Sequence, residues 1–126
     1  MKPSQIEHGS FPHERLDAWH VARRARVLAM DFTRSLPAGQ GEEVRQINKA
    51  AASVVRNICE GANRWKPAEK RHKFEIAQGE AGEAVGAVVS LCDCGLGDQA
   101  LADAFVAQMG RVGMMLTGLI KRQLRG

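Results

Sequence analysis

In its 126 residues the chain carries 18 Lys and Arg against 14 Asp and Glu, a formal net charge of +4, with 44% hydrophobic residues, 13 glycines and no tyrosine. A chain of this length makes one domain that buries roughly two thirds of its surface. The composition excludes a collagen, a disulfide scaffold and a disordered tail.

A single domain over 1–126 is expected, opening with a flexible segment at 1–12. MKPSQIEHGSFPHERL lacks the apolar core of a signal peptide, and no apolar run approaches the roughly 18 residues that would span a bilayer. A cytoplasmic protein with no membrane contact is the expectation. Cys59, Cys92 and Cys94 are odd in number and suit no disulfide framework, which fits a reducing compartment.

The first predicted helix covers about 13–36. Pro12 is tolerated in an opening turn, and Leu16, Trp19, Ala22, Ala29, Phe32 and Leu36 lie mostly on one side. Leu36-Pro37-Ala38-Gly39-Gln40-Gly41 breaks it. In the second helix, about 41–63, Val44, Ile47, Ala51, Val54, Ile58, Gly61 and Trp65 recur at steps of three and four, a heptad seam. Beside the seam runs a polar stripe of Gln46, Ser53, Asn57, Glu60 and Arg64, with Glu60 placed to pair with Arg64 at i,i+4. As structural polar residues, these five would cap Asn63 to Pro67 or tie helix 2 to helix 3.

Asn63 to Pro67 separates this element from the third, about 67–94, whose seam is Phe74, Ala77, Ala81, Ala84, Val88 and Leu91. Gly95 and Gly97 stop it, and Asp98 caps the fourth, about 98–124, with Leu101, Phe105, Gln108, Val112, Met115 and Leu119 on its seam. Glycines 79, 82 and 86 in helix 3, and 110, 113 and 118 in helix 4, each cost about 1 kcal/mol relative to alanine in a helix interior. Close helix approach, within the bundle or between subunits, is the expected compensation. With connections this short, the fold class is all-α: an up-down-up-down antiparallel four-helix bundle.

Charge is unevenly spread. Residues 1–73 hold 14 basic and 8 acidic side chains, and residues 74–126 hold 4 and 6. The excess gathers between Arg45 and Lys73, where Arg45, Lys49, Arg56, Lys70, Arg71 and Lys73 are candidate phosphate contacts for RNA or DNA. A solvated helix face is the competing reading. There is little aromatic content for base stacking, Trp65 at most, so sequence-specific reading of single strands is not expected.

The run from Gln46 to Gly61, with Ala50, Ser53, Asn57-Ile58-Cys59-Glu60-Gly61 and then Arg64, resembles the Q-R-A-SI-NIAEG-R signature of the proteins encoded by intervening sequences in 23S rRNA genes. Leu16-Asp17-Ala18-Trp19, Leu36-Pro37 and Phe74-Glu75-Ile76-Ala77-Gln78-Gly79 with Glu83 resemble three further family segments, so the likeness runs from Leu16 to about Gly95. Cys59 stands where the family has Ala, Glu80 where it has Ser, and Pro67 near its polar cap. The resemblance implies a four-helix bundle assembled as a homopentameric ring, with no enzymatic activity or cofactor attached. Distant relatives include the accessory variability determinant of diversity-generating retroelements, a basic pentamer that binds nucleic acid and a reverse transcriptase. A reverse transcriptase is thus a partner to expect where gene context supplies one.

The leading functional expectation is a non-enzymatic oligomeric scaffold that binds structured RNA or another nucleic acid through basic patches. The alternative is a metal-independent ribonuclease of the HEPN type, whose Arg and His spacing is met by Arg15 and His20. A carboxylate-bridged metal pair on Asp17/His20 and Glu69/His72 is a third possibility, for which Leu16, Trp19 and Phe74 already claim the inward positions. Cys92 and Cys94 lack the further ligands of a zinc site, so no metal is expected.

Overall fold

Helix boundaries follow from local chemistry. In the computed structural model, which describes residues 11–125, a 3₁₀ turn over Pro12–Arg15 precedes four α-helices: α1 (Asp17–Arg34), α2 (Gly41–Ala62), α3 (Pro67–Asp93) and α4 (Gln99–Arg125). No strand occurs among the described residues. The flexible segment expected at 1–12 lies outside the described residues up to position 10, while Pro12 belongs to the 3₁₀ turn. Leu16 is extended and caps α1, so the helix starts at Asp17 rather than near 13.

The stop of α3 is the most completely determined. Gly95 takes φ +76°, the Leu96 N–H donates to the Leu91 carbonyl at 2.9 Å, and the Gly95 N–H donates to that of Cys92 at 2.9 Å. This pair of bonds satisfies carbonyls the helix end would otherwise leave open. Asp98 then accepts the Leu101 N–H at 2.9 Å on Oδ1, capping α4. Gly97, at φ +83°, passes so close to Phe32 that an added Cβ would sit 2.6 Å from its ring.

The helices form a four-helix bundle. Each packs on two neighbours, α1 on α2 and α4, and α3 on α2 and α4, while the diagonal pairs lie further apart. Phe32, Phe74 and Phe105 are fully buried, with Ile47, Ile58, Met109 and Leu116 around them. Eleven of the 24 buried apolar residues are alanine, concentrated in α1 to α3. Alanine faces let helix axes approach toward the short end of the usual range, about 8 Å.

The seams of α2 and α3 are buried at the predicted positions from Ile47 to Gly61 and from Phe74 to Leu91, and Val44 is half-buried. Trp65 is a correction: α2 ends at Ala62, so Trp65 leaves the seam and is 93% exposed. In α4 the buried line is Ala102, Phe105, Met109, Val112, Leu116 and Leu119, which puts Gln108 and Met115 on its flank. The helix glycines are a second correction. Around Gly79, Gly82, Gly86, Gly110, Gly113 and Gly118 an added Cβ meets nothing within 4 Å. The close approach occurs instead at Gly61, where a Cβ would lie 2.7 Å from the Phe74 ring and 3.1 Å from Lys73 Cβ.

A candidate nucleic-acid interface on helix α2

The polar stripe divides by burial. Asn57 is buried and its Nδ2 donates to the Ser53 carbonyl at 2.9 Å and to Ser53 Oγ at 3.0 Å. It thereby spends its donors inside α2. Gln46 is exposed and donates from Nε2 to Glu42 Oε1 at 2.9 Å. Glu60 does not pair with Arg64. Its carboxylate meets Lys73 Nζ at 3.0 Å, a half-exposed bridge from α2 to α3, and Arg64 is exposed beyond the helix end. Lys73 wins because it projects from the packed α3 surface, whereas Arg64 lies past the last helical turn.

The six candidate phosphate contacts fall into two groups. Lys70, Arg71 and Lys73 sit in the first turns of α3 and are engaged there. Lys70 Nζ donates to the Ala62 carbonyl at 2.8 Å and lies 3.5 Å from that of Gly61. It closes the C-terminal carbonyls of α2, where a cation also offsets the helix dipole. Burial lowers its pKa below the ordinary lysine value. Arg71 faces Glu75 at 3.8 Å one turn on.

Arg45, Lys49 and Arg56 are exposed and line a trough of about 420 Å³ between α2 and α3, together with Gln46 and Ser53. Glu80 and Glu83 form its α3 wall, and Glu42 its end. Arg45 is paired with Glu42, while Lys49 and Arg56 make no ion pair among the described residues. The trough is therefore of mixed sign.

Exposed cations continue beyond the trough into Arg64 and Lys66, which flank Trp65 and make no ion pair among the described residues. Charge counting along the sequence did not separate these from the cations that hold α2 to α3. Lys70 and Lys73 find their partners across the α2–α3 turn, beyond the reach of i,i+4 reasoning, whereas Arg45 and Arg71 pair within one turn of their own helix.

Of the ribonuclease pair, Arg15 is exposed in the 3₁₀ turn and His20 is half-buried in α1. His20 Nε2 lies 2.7 Å from the Glu14 carbonyl, and its Nδ1 is 3.4 Å from Arg23 Nη1. Both ring nitrogens are thus engaged within the chain, and the ring edge packs on Trp19. Asp17, Glu69 and His72 are exposed, and no group of three or more His, Cys, Asp or Glu is placed to hold a metal among the described residues.

Cys59, Cys92 and Cys94 are all free thiols. Desolvation raises the pKa of Cys59, aided by Glu60 and opposed by the bond from Asn63. Desolvation also raises that of Cys92, with the carboxylates of Asp103, Asp93 and Asp98 adding to it. No described helix is long and apolar enough to cross a membrane.

A family model described as 23S rRNA-intervening sequence protein matches residues 14–118. No curated protein matches the chain.

Proposed function

Because the chain belongs to the 23S rRNA-intervening sequence protein family, we propose that it is a non-enzymatic, oligomeric scaffold that holds structured RNA or another nucleic acid on its surface. The observation that carries the nucleic-acid part is the run of exposed cations outside any ion pair among the described residues: Lys49, Arg56, Arg64 and Lys66 along α2 and the turn after it. Unpaired surface cations release counterions from phosphates when they bind, so the affinity is salt-dependent and indifferent to sequence. A gel-shift titration with a structured RNA across a salt series tests this. Binding weakens linearly on a log–log salt plot, and reversing Lys49, Arg56, Arg64 and Lys66 to Glu lowers the affinity at least about tenfold at low salt, since several phosphate contacts are lost. No binding at low salt, or binding untouched by the reversal, rejects it.

The up-down-up-down antiparallel topology and the homopentameric ring belong to the same proposal. Supporting the topology, His13 reaches Asn63 at 2.8 Å, Asn48 reaches Thr33 at 3.1 Å, Gln78 reaches Gly113 and Thr117, and Asp98 reaches Ser35. His13–Asn63 brings the turn before α1 to the end of α2, Asn48–Thr33 the first half of α2 to the end of α1, Asp98–Ser35 the start of α4 to the end of α1, and Gln78 joins the middle of α3 to that of α4. Supporting assembly, the exposed glycines of α3 cost helix stability that no contact among the described residues offsets. Light scattering at micromolar concentration returns five times the chain mass; a monomer contradicts the ring. A cytoplasmic location, in keeping with the unpaired thiols, completes the proposal.

A further inference from the structure

Five of the six aromatic side chains in the chain are Phe11, Trp19, Phe32, Phe74 and Phe105, and the sixth, Trp65, is unlike them all. Three phenylalanines are fully buried and Trp19 is half-buried against the core, while Trp65 is 93% exposed. It sits in the turn between α2 and α3, with the exposed cations Arg64 and Lys66 on either side. The turn is held at both ends. Asn63 donates from Nδ2 to the Cys59 carbonyl at 2.9 Å, and the carbonyl of Lys66 accepts the Glu69 and Lys70 N–H groups at 3.0 Å.

The next most exposed aromatic ring, Phe11 at 58%, lies at the same end of the bundle. It stacks on His13 with ring centres 5.9 Å apart and planes 24° from parallel, and His13 Nδ1 lies 2.8 Å from Asn63 Nδ2, two residues from Trp65. Both exposed aromatic rings of the described chain therefore lie at one end of the bundle. The surface is not a broad apolar patch of the kind that marks a protein-binding site: Trp65 has cations, not aliphatic side chains, as its chain neighbours.

We propose that the Arg64–Trp65–Lys66 turn binds single-stranded nucleic acid, with Trp65 stacking on an unpaired base and the two cations holding the phosphates beside it. This rests on the nucleic-acid reading above and moves its centre from the mixed-sign trough to the end of the bundle. A flat ring between two cations matches a strand that alternates flat bases with anionic phosphates. The trough, by contrast, offers phosphates two carboxylates for every two unpaired cations. A held turn and a side chain with only two torsions keep the ordering entropy of such a contact small.

The test titrates the full chain with an eight-nucleotide single strand, as ribo- and deoxyribo-oligomers, and with a blunt duplex of the same length, following tryptophan fluorescence. Single strands quench the emission, and the quenching disappears in Trp65→Ala, in which only Trp19 remains. Trp65→Ala weakens single-strand binding roughly 5- to 150-fold, the range of one base–aromatic stack, and Trp65→Phe restores most of it. Duplex binding is unaffected by either variant. Because Trp65 touches almost nothing, Trp65→Ala keeps the fold, which circular dichroism verifies.

Single-strand affinity equal in wild type and Trp65→Ala overturns the proposal while leaving phosphate binding intact. Absence of binding by any oligomer at low salt overturns the wider reading and this one with it. Quenching by anionic phospholipid vesicles without quenching by oligomers assigns the turn to a membrane surface instead. A loss of assembly in Trp65→Ala, with oligomer affinity unchanged, makes Trp65 a contact between subunits and likewise overturns it.

Discussion

Gly61 shows how a single hydrogen in place of a methyl group sets the α2–α3 contact. The Phe74 ring, fully buried, fills the space a Cβ would take, and Lys73 crosses just beyond it to reach Glu60. Alanine at Gly61 would gain about 1 kcal/mol of helix propensity and lose roughly 1–3 kcal/mol to overpacking against a ring with nowhere to go. The expected outcome is net destabilisation of up to about 2 kcal/mol, read from urea unfolding; a raised midpoint shows that Phe74 yields. Sequence periodicity placed Gly61 on the seam but carried no sign of the ring opposite, because that ring belongs to another helix. The same reason hid the Glu60–Lys73 bridge and the closing of the α2 carbonyls by Lys70, so two of the six candidate phosphate contacts turned out to be engaged in holding α2 to α3.

For α3, almost everything inward was legible and almost nothing outward. Its buried line, Phe74 to Leu91, follows directly from the spacing of apolar residues. Its glycines looked like packing notches, yet Gly79, Gly82 and Gly86 are exposed and have open space around the missing Cβ. Spacing of three and four puts them on one side of the helix, and composition alone does not say whether that side is inside or outside. The seam of α4 was misplaced by one position at Leu101, Gln108 and Met115 because two lines of residues, starting at Leu101 and Ala102, share the same period; burial selects the one through Ala102, Met109 and Leu116. A prediction follows for α3. Replacing Gly79, Gly82 and Gly86 by alanine together raises the stability of dilute protein by about 1–3 kcal/mol, from the helix propensity of each site, and weakens self-association in sedimentation. Stabilisation with self-association intact would mean that neighbouring subunits do not use this face.

At the scale of the whole molecule, ionisation and packing set different limits. Cys59 and Cys92 have pKa values raised by desolvation, so the native state holds thiol protons that the unfolded chain releases. The stability tied to them is fully present below the ordinary thiol value, about 8.5, and is lost as pH rises through their higher native values. Lys70 acts oppositely: its lowered pKa makes the unfolded chain the stronger proton binder, so stability rises with pH between its native value and the ordinary lysine value. Relative to wild type, a Cys59→Ala, Cys92→Ala double variant therefore gains in urea midpoint as pH rises through thiol ionisation, a comparison in which the Lys70 contribution cancels. A difference between the two that does not change with pH contradicts the assignment. The alanine-rich interior has a consequence for how such a chain diverges. At an interior alanine nearly every replacement is larger and wedges two helices apart, while the one smaller residue, glycine, weakens the helix itself. Drift is thus blocked in both directions at these sites but open at the large side chains, which can trade volume with one another. In distant lineages it should be the small residues that stay still and mark the fold, while the phenylalanines and leucines wander.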